Sequence, residues 1–201
     1  MIRVDDELIK LLTELYEVGV ENDSKTDNHV RRMLNVTPDT GLFLSIMVRA
    51  IGAENVLEIG TSNGYSTMWI ADALRDRNGK VVTLEMSTEK ADMAKRNFAR
   101  SGLLSYIDFH QADAHSFLSG RAPKQFDMVF MDAERKEYVS YWGDVDRALR
   151  VGGVLVVDNA NSPKPEELIS FFDLVRKTNR YLSQILQVGK GEFLAVKLEN
   201  Q

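Results

Sequence analysis

The sequence predicts an α/β fold: a seven-stranded, mostly parallel sheet with its last strand antiparallel, helices on both faces and a helical N-terminal extension. Two observations predict it. From residue 55 onward, short β-branched and apolar runs alternate with amphipathic segments at helical spacing, the pattern of a parallel sheet covered by helices. The chain then ends on two apolar runs, "YLSQILQV" and "GEFLAVKL", separated only by Gly189 and Lys190, which read as a hairpin.

Before that alternation, Leu8, Ile9, Leu11, Leu12, Leu15 and Tyr16 recur at helix spacing, and the polar stretch "VENDSKTDNH" ends the run. "TPDTGLFLSIMVRAIG" reads as a second helix, with Thr37 as N-cap, Pro38 in the first turn and Gly52 past the end. Strands are expected at 55–59, 80–85, 106–110, 126–131 and 153–158, each bounded by Gly, Asp or Asn. Helices are expected at 65–77, 88–101, 136–149 and 164–178. Gly79 and Gly102 stand where helices commonly end, and Ser162 and Pro163 where the last one starts. No linker or repeat divides the 201 residues, so residues 1–201 read as one domain, with 1–52 the helical extension and 53–201 the core.

Hydrophobic residues make up 44% and charged residues 27%, as in ordinary globular chains. The net charge of −5 argues against a nucleic-acid partner, which usually selects a basic face. There is no cysteine, which excludes disulfides, thiolate metal sites and a cysteine nucleophile. No apolar run is long enough for a membrane span and none resembles a signal peptide, so a cytoplasmic protein is expected.

In open parallel sheets the ligand lies beyond the carboxyl ends of the strands. The first such end is "VLEIGTSNGYS", with glycines four apart. The dinucleotide fingerprint of Rossmann-like folds has G-x-G-x-x-G and a pyrophosphate on the following helix. Here the middle glycine is missing and Glu58 precedes the turn, where it would repel a phosphate and suit an amine or another cation. Glu85 ends the second strand, where an acid can accept from two ribose hydroxyls. Together these residues suit a positively charged nucleoside, and S-adenosyl-L-methionine combines adenosine, a sulfonium and an ammonium.

These residues resemble those of the class I S-adenosylmethionine-dependent methyltransferases, and more narrowly the metal-dependent catechol and caffeoyl-CoA O-methyltransferases. The similarity runs from about residue 33 to 198. "VLEIGTSNGYSTMWIADAL" resembles the first motif, "VVTLEM" the ribose-binding strand and "QADAHSFL" the adenine segment. "FDMVFMDAERKEY" and "GGVLVVDNA" resemble two metal-bearing strand ends, and "LQVGKGEFLAVK" the final hairpin. The cofactor-binding candidates this implies are Val36, Glu58, Gly60, Thr61, Ser62, Gly64, Ser66, Glu85, Met86, Asp113, Ala114, Asp132 and Glu134. The implied metal ligands are Asp132, Asp158 and Asn159, a hard oxygen set suited to Mg²⁺, Mn²⁺ or Ca²⁺. The implied reaction is methyl transfer to a hydroxyl of a catechol-like or other vicinal dihydroxy aromatic, and a homodimer is expected. Without the resemblance, Asp132 and Asp158 read first as helix caps after a strand.

Three departures stand out. Arg135 occupies the place of a lysine general base, and a guanidinium keeps its proton. The catalytic candidates are therefore Asp132, Arg135 and Lys136. The segment "DNANSPKPEEL" is shorter than in plant relatives, and Val36 replaces a common hydroxyl residue. Other readings are a tRNA methyltransferase with a basic stripe from Arg31, Arg32, Lys124, Arg135 and Lys136, a cofactor-binding protein without catalysis, and a nicotinamide dehydrogenase. His29, His110 and His115, the aromatics Trp69, Tyr141 and Trp142, and Met86, Met128 and Met131 are expected to be structural.

Overall fold

A computed structural model describes residues 5–28, 31–161 and 166–199. Helices α1 (Asp6–Ser24) and α2 (Pro38–Ala50) precede the alternating part. Strands β1 (Asn55–Ile59), β2 (Lys80–Glu85), β3 (Ile107–Gln111), β4 (Phe126–Met131) and β5 (Leu149–Val157) follow, with helices α3 (Tyr65–Leu74), α4 (Thr88–Ser101), α5 (Ala114–Ser119) and α6 (Tyr138–Ala148) between them. Helix α7 (Glu166–Lys177) and strands β6 (Tyr181–Leu186) and β7 (Glu192–Lys197) complete the chain.

The seven strands lie in the order β3-β2-β1-β4-β5-β7-β6. All pairings from β3 to β5 are parallel, and β7 runs antiparallel to both β5 and β6. The expected reversed last strand is therefore present, but it inserts between β5 and β6 instead of forming the edge. The hairpin had to place one of its strands against β5, and β7 is the more apolar, with Phe193 and Ala195 fully buried. Leu182 of the edge strand β6 is mostly exposed.

Strand side chains alternate between two cores. Val56, Met128, Phe130, Val154 and Val156 face a core shared with Leu8, Leu11, Leu12 and Leu15 of α1 and with α2, α3 and α4. Leu57, Ile59, Val129, Met131, Leu155 and Val157 face the other, under α5, α6 and α7. Asp5 caps α1 by accepting from the Glu7 N–H, and Thr37 caps α2 as expected, with Pro38 at its first position.

Several boundaries differ from the expectation. The helix predicted over 65–77 closes as a 3₁₀ turn at Arg75–Arg77, and Asn78, not Gly79, takes the left-handed conformation that ends it. Gly79 packs against the Glu54 backbone, while Gly102 caps α4 in the left-handed region as expected. Strand β5 starts four residues early at Leu149, through a register irregularity opposite Phe126. The adenine-like segment forms α5, with Asp113 as N-cap accepting from the Ser116 N–H at 2.8 Å. That capping signal lies in the sequence, but a six-residue helix is too short to show periodicity. Residues 135–137 form a 3₁₀ turn before α6. The expected cap at Ser162 and Pro163, like His29, lies outside the described residues.

The first-motif glycines serve the protein's own packing. Gly60 has φ +106°, and a Cβ there would collide with the Asp132 carbonyl oxygen; Gly64, at φ +87°, would collide with the Phe98 ring. Gly60→Ala should therefore destabilise the fold by at least ~1–3 kcal/mol, from left-handed strain and the backbone clash together. Urea unfolding monitored by circular dichroism tests this, and an unchanged midpoint would contradict the packing described.

Candidate active site

Ile59, Met131 and Val157 are in register across β1, β4 and β5, so the residues that follow them stand side by side. Backbone hydrogen bonds carry the alignment past the strand ends: the Asp132 N–H donates to the Ile59 carbonyl at 2.9 Å, and the Asp158 N–H to that of Met131 at 3.2 Å. On the other side of β1, the Gly60 and Thr61 N–H groups both donate to the Leu84 carbonyl at 3.0 Å. Glu85 ends β2, and Asp113, Gly60, Asp132 and Asp158 follow the carboxyl ends of β3, β1, β4 and β5.

The turn after β1 is held by side chains. Glu85 accepts from the Ser62 N–H at 2.8 Å and from the Ser87 N–H at 2.9 Å. Ser62, at φ 49°, donates its hydroxyl to the Met33 carbonyl at 2.8 Å, which ties the segment before α2 across the turn. Asp23 holds that segment from α1 by accepting from the Met33 and Leu34 N–H groups. Glu58 is fully buried and accepts from the hydroxyls of Ser66 (2.6 Å), Thr83 (2.6 Å) and Thr67. Burial pushes its carboxyl up to about 7, against the opposing pull of those three hydroxyls. A surface groove of about 200 Å³ between α1 and α4 reaches Asn63, but neither Glu58, Glu85, Asp132 nor Asp158 lines it.

Around β4 and β5 the charge density is high. Asp132 is raised well above the usual carboxylate range, first by burial, then by the charges of Asp158 and Glu58. Asp158 is raised chiefly by burial; Lys190 and Arg135 pull both acids the other way. Asn159, in the left-handed region at φ 65°, donates its amide to Asp158 Oδ2 at 2.6 Å and to Asp132 Oδ1 at 3.4 Å. Rotating that amide by 180° presents its oxygen instead, so two carboxylates and one amide oxygen can face a common point. Among the described residues, no three His, Cys, Asp or Glu side chains form a metal-holding group, so the fit to a cation rests on Asp132, Asp158 and Asn159. Hard oxygens with excess negative charge in a buried setting suit a divalent cation. Beside them, Tyr138 braces the loop after β4: its hydroxyl accepts from the Ala133 N–H at 2.8 Å and donates to the Ala133 carbonyl at 3.2 Å.

Residues 6–198 match the family described as O-methyltransferase. The chain belongs to this O-methyltransferase family. A catechol O-methyltransferase of Niastella koreensis is 34% identical over 160 residues, which cover 77% of this chain and 66% of that protein. One from Mycobacterium tuberculosis is 39% identical over 124 residues, covering 62% and 56%. The chain thus spans somewhat less than two thirds of these two relatives. The crystal structure of an O-methyltransferase from Bacillus cereus in complex with SAH is 30% identical, with a TM-score of 0.79 over 98% of this chain and 93% of that one. TomG from Streptomyces achromogenes, solved in complex with SAM, is 27% identical with a TM-score of 0.77, covering 99% and 92%.

Within this O-methyltransferase scaffold the expected residues fall into distinct settings. Gly60, Ser62, Gly64 and Glu85 form the turn, and Asp113 and Ala114 start α5. Thr61 and Ser66 are buried, and their hydroxyls pair with Thr83 and Glu58 respectively. Val36 is buried in the first core. Met128 and Met131 are core residues as expected, whereas Met86, expected as core filler, is 69% exposed because it lies past the end of β2. Trp69, Tyr141 and Trp142 are buried in the two cores. Glu134 and Lys136 are exposed on the loop after Asp132, and Arg135 is half-buried there. Asp132 does not cap the turn that follows it; Glu134 holds that position. Sequence reasoning missed Thr67, Thr83 and Tyr138, which hold Glu58 and the Asp132 loop, and Thr40 and Glu192. Only the opposition of β1 with β2, which pairs Glu58 with Thr83, could have pointed to the hydroxyl cluster.

The raised carboxyl of Glu58 makes stability depend on pH with a definite sign. The folded chain holds that proton more tightly than the unfolded one. The gain is full below about pH 4.5 and is lost as pH rises toward 7, by on the order of 3 kcal/mol. Glu58→Gln should therefore gain thermal stability relative to the parent between pH 5 and pH 8, read from paired melting curves. A constant offset over that range would mean that Glu58 ionises outside it.

Proposed function

We propose that this chain is an S-adenosyl-L-methionine-dependent O-methyltransferase that transfers a methyl group to one hydroxyl of a catechol-like or other vicinal dihydroxy aromatic, assisted by a divalent cation, with Mg²⁺ the first choice. The observation that carries the reading is the convergence of Asp132, Asp158 and Asn159 at the ends of β4 and β5, next to the glycine turn after β1. Solved relatives with SAM or SAH, and curated relatives named as catechol and caffeoyl-CoA O-methyltransferases, support it.

Asp132, Asp158 and Asn159 would hold the cation, whose chemistry when bound would be to lower the pKa of an acceptor hydroxyl. The protein's residues then supply position. Glu85 keeps lone pairs beyond its two backbone bonds, enough to accept from ribose hydroxyls. Glu58 lies buried beneath the turn, where its bonds to Ser66, Thr67 and Thr83 tie β1, α3 and β2 together. Arg135 cannot take a proton, so its part is to stabilise negative charge on the acceptor, beside Lys190. Holding nucleophile and methyl donor in line is worth roughly 7–11 kcal/mol of barrier.

A homodimer and a cytoplasmic setting accompany this proposal; among the described residues no helix is long and apolar enough to cross a membrane. Of the basic stripe that a tRNA substrate would need, Lys124 stands before β4, at the opposite end of that strand from Asp132, which disfavours that reading.

Two measurements test the proposal. Labelled methyl transfer to a catechol panel should proceed with Mg²⁺ and stop with EDTA, and Asp158→Ala should abolish turnover while cofactor affinity stays near that of the parent. EDTA-resistant turnover would remove the metal. Glu85→Ala should weaken S-adenosylmethionine binding by about 1–3 kcal/mol in calorimetry, and parental affinity would remove the ribose assignment.

A further inference from the structure

Glu192 is a buried acid that neither the fold nor the reading above requires. It opens β7, and its place follows from register. Val157 pairs with Phe193 across the antiparallel β5–β7 ladder, so the residue after Val157 and the one before Phe193 stand opposite each other. Those residues are Asp158 and Glu192. Acids directly opposite on neighbouring strands repel, and in a buried position the cost is larger. Glu192 is nevertheless completely buried.

Its surroundings are built. Glu192 Oε1 accepts from the Thr40 hydroxyl at 2.9 Å, and Thr40, itself buried, lies 3.1 Å from the Thr37 hydroxyl that caps α2. Glu192 Oε2 is buried without a hydrogen-bond partner, and the carboxyl stands opposite Asp158 across the β5–β7 ladder. The hairpin tip is fixed on both sides. The Gly189 N–H donates to Asp39 at 3.0 Å, and the Ala160 and Asn161 N–H groups donate to the Gly191 and Lys190 carbonyls at 2.7 and 3.0 Å. The fixed hairpin tip and the Thr40 hydrogen bond hold Glu192 opposite Asp158. Its carboxyl stands behind the Asp158–Asn159 pair, joined through Thr40 to the start of α2.

We propose that Glu192 is a positioning residue for the cation site: it fixes the Asp158 carboxyl in a ligating orientation and anchors it, through Thr40, to the first turn of α2. This rests on the reading of Asp132, Asp158 and Asn159 as cation ligands. Carboxyl partners that orient a ligand from behind typically change metal affinity 10–100-fold when removed. A purely structural Glu192 would change melting temperature and leave cation affinity alone.

The test is Mn²⁺ binding to the full chain, followed by electron paramagnetic resonance of free Mn²⁺, with circular dichroism to verify folding. Glu192→Leu, close in size but without a polar group, should lose about 10–100-fold in Mn²⁺ affinity. Glu192→Gln keeps an acceptor for Thr40 and a donor for Asp158, and should bind close to the parent. Asp158→Ala should lose binding outright. Loss in Asp158→Ala with full affinity in Glu192→Leu overturns this proposal and leaves the metal reading standing. A parent chain that binds no Mn²⁺ overturns both. Should Glu192→Leu fail to fold, Thr40→Val takes its place: weakened Mn²⁺ binding supports the anchor, and unchanged affinity overturns it.

Discussion

Strands β1, β4 and β5 end at one level, and the site depends on that constraint. Parallel pairing in register from Val56 through Ile59 brings the Gly60 backbone against the Asp132 carbonyl and sets Asp158 next to Asp132. The space between β1 and β4 at that level is too small for any side chain, so position 60 is glycine for internal reasons. An open turn for a ligand is the consequence of that packing.

The second consequence is electrostatic. Glu58, Asp132, Asp158 and Glu192 fall by strand alternation on one side of the sheet, where water cannot solvate them all. Each is raised above its ordinary carboxylate range, with burial as the leading cause. The chain manages each acid differently. Three hydroxyls surround Glu58, the Asn159 amide bridges Asp158 and Asp132, Lys190 and Arg135 offset both from the rim, and Thr40 holds Glu192. Under the proposed reading, a divalent cation between Asp132, Asp158 and Asn159 would offset part of this charge.

Much of this was legible beforehand because it is local. The β-branched runs, the Thr37-Pro38 start of α2 and the glycine at 102 are written in consecutive residues, and the structure bears them out. The glycine turn with its flanking Glu58 was also legible, but the role of its parts was not. Glu58 read as a group facing the ligand, yet it sits within a cluster whose members come from β1, α3 and β2. Met86 read as core filler because apolar character says nothing about where a strand stops. The short α5 escaped because six residues hold less than two turns.

By itself the sequence determined the alternation of strands and helices, the reversed last strand and the membership of Asp132, Asp158 and Asn159 in one row of strand ends. These follow from period, turn chemistry and the rule that parallel strands end together. Only the tertiary structure decided that β7 slides between β5 and β6. No local pattern states which hairpin strand pairs with β5; that choice is made by the apolar face that Phe193 and Ala195 bury. It sets Glu192 opposite Asp158, and so gives the candidate cation site a buried acid behind one of its ligands.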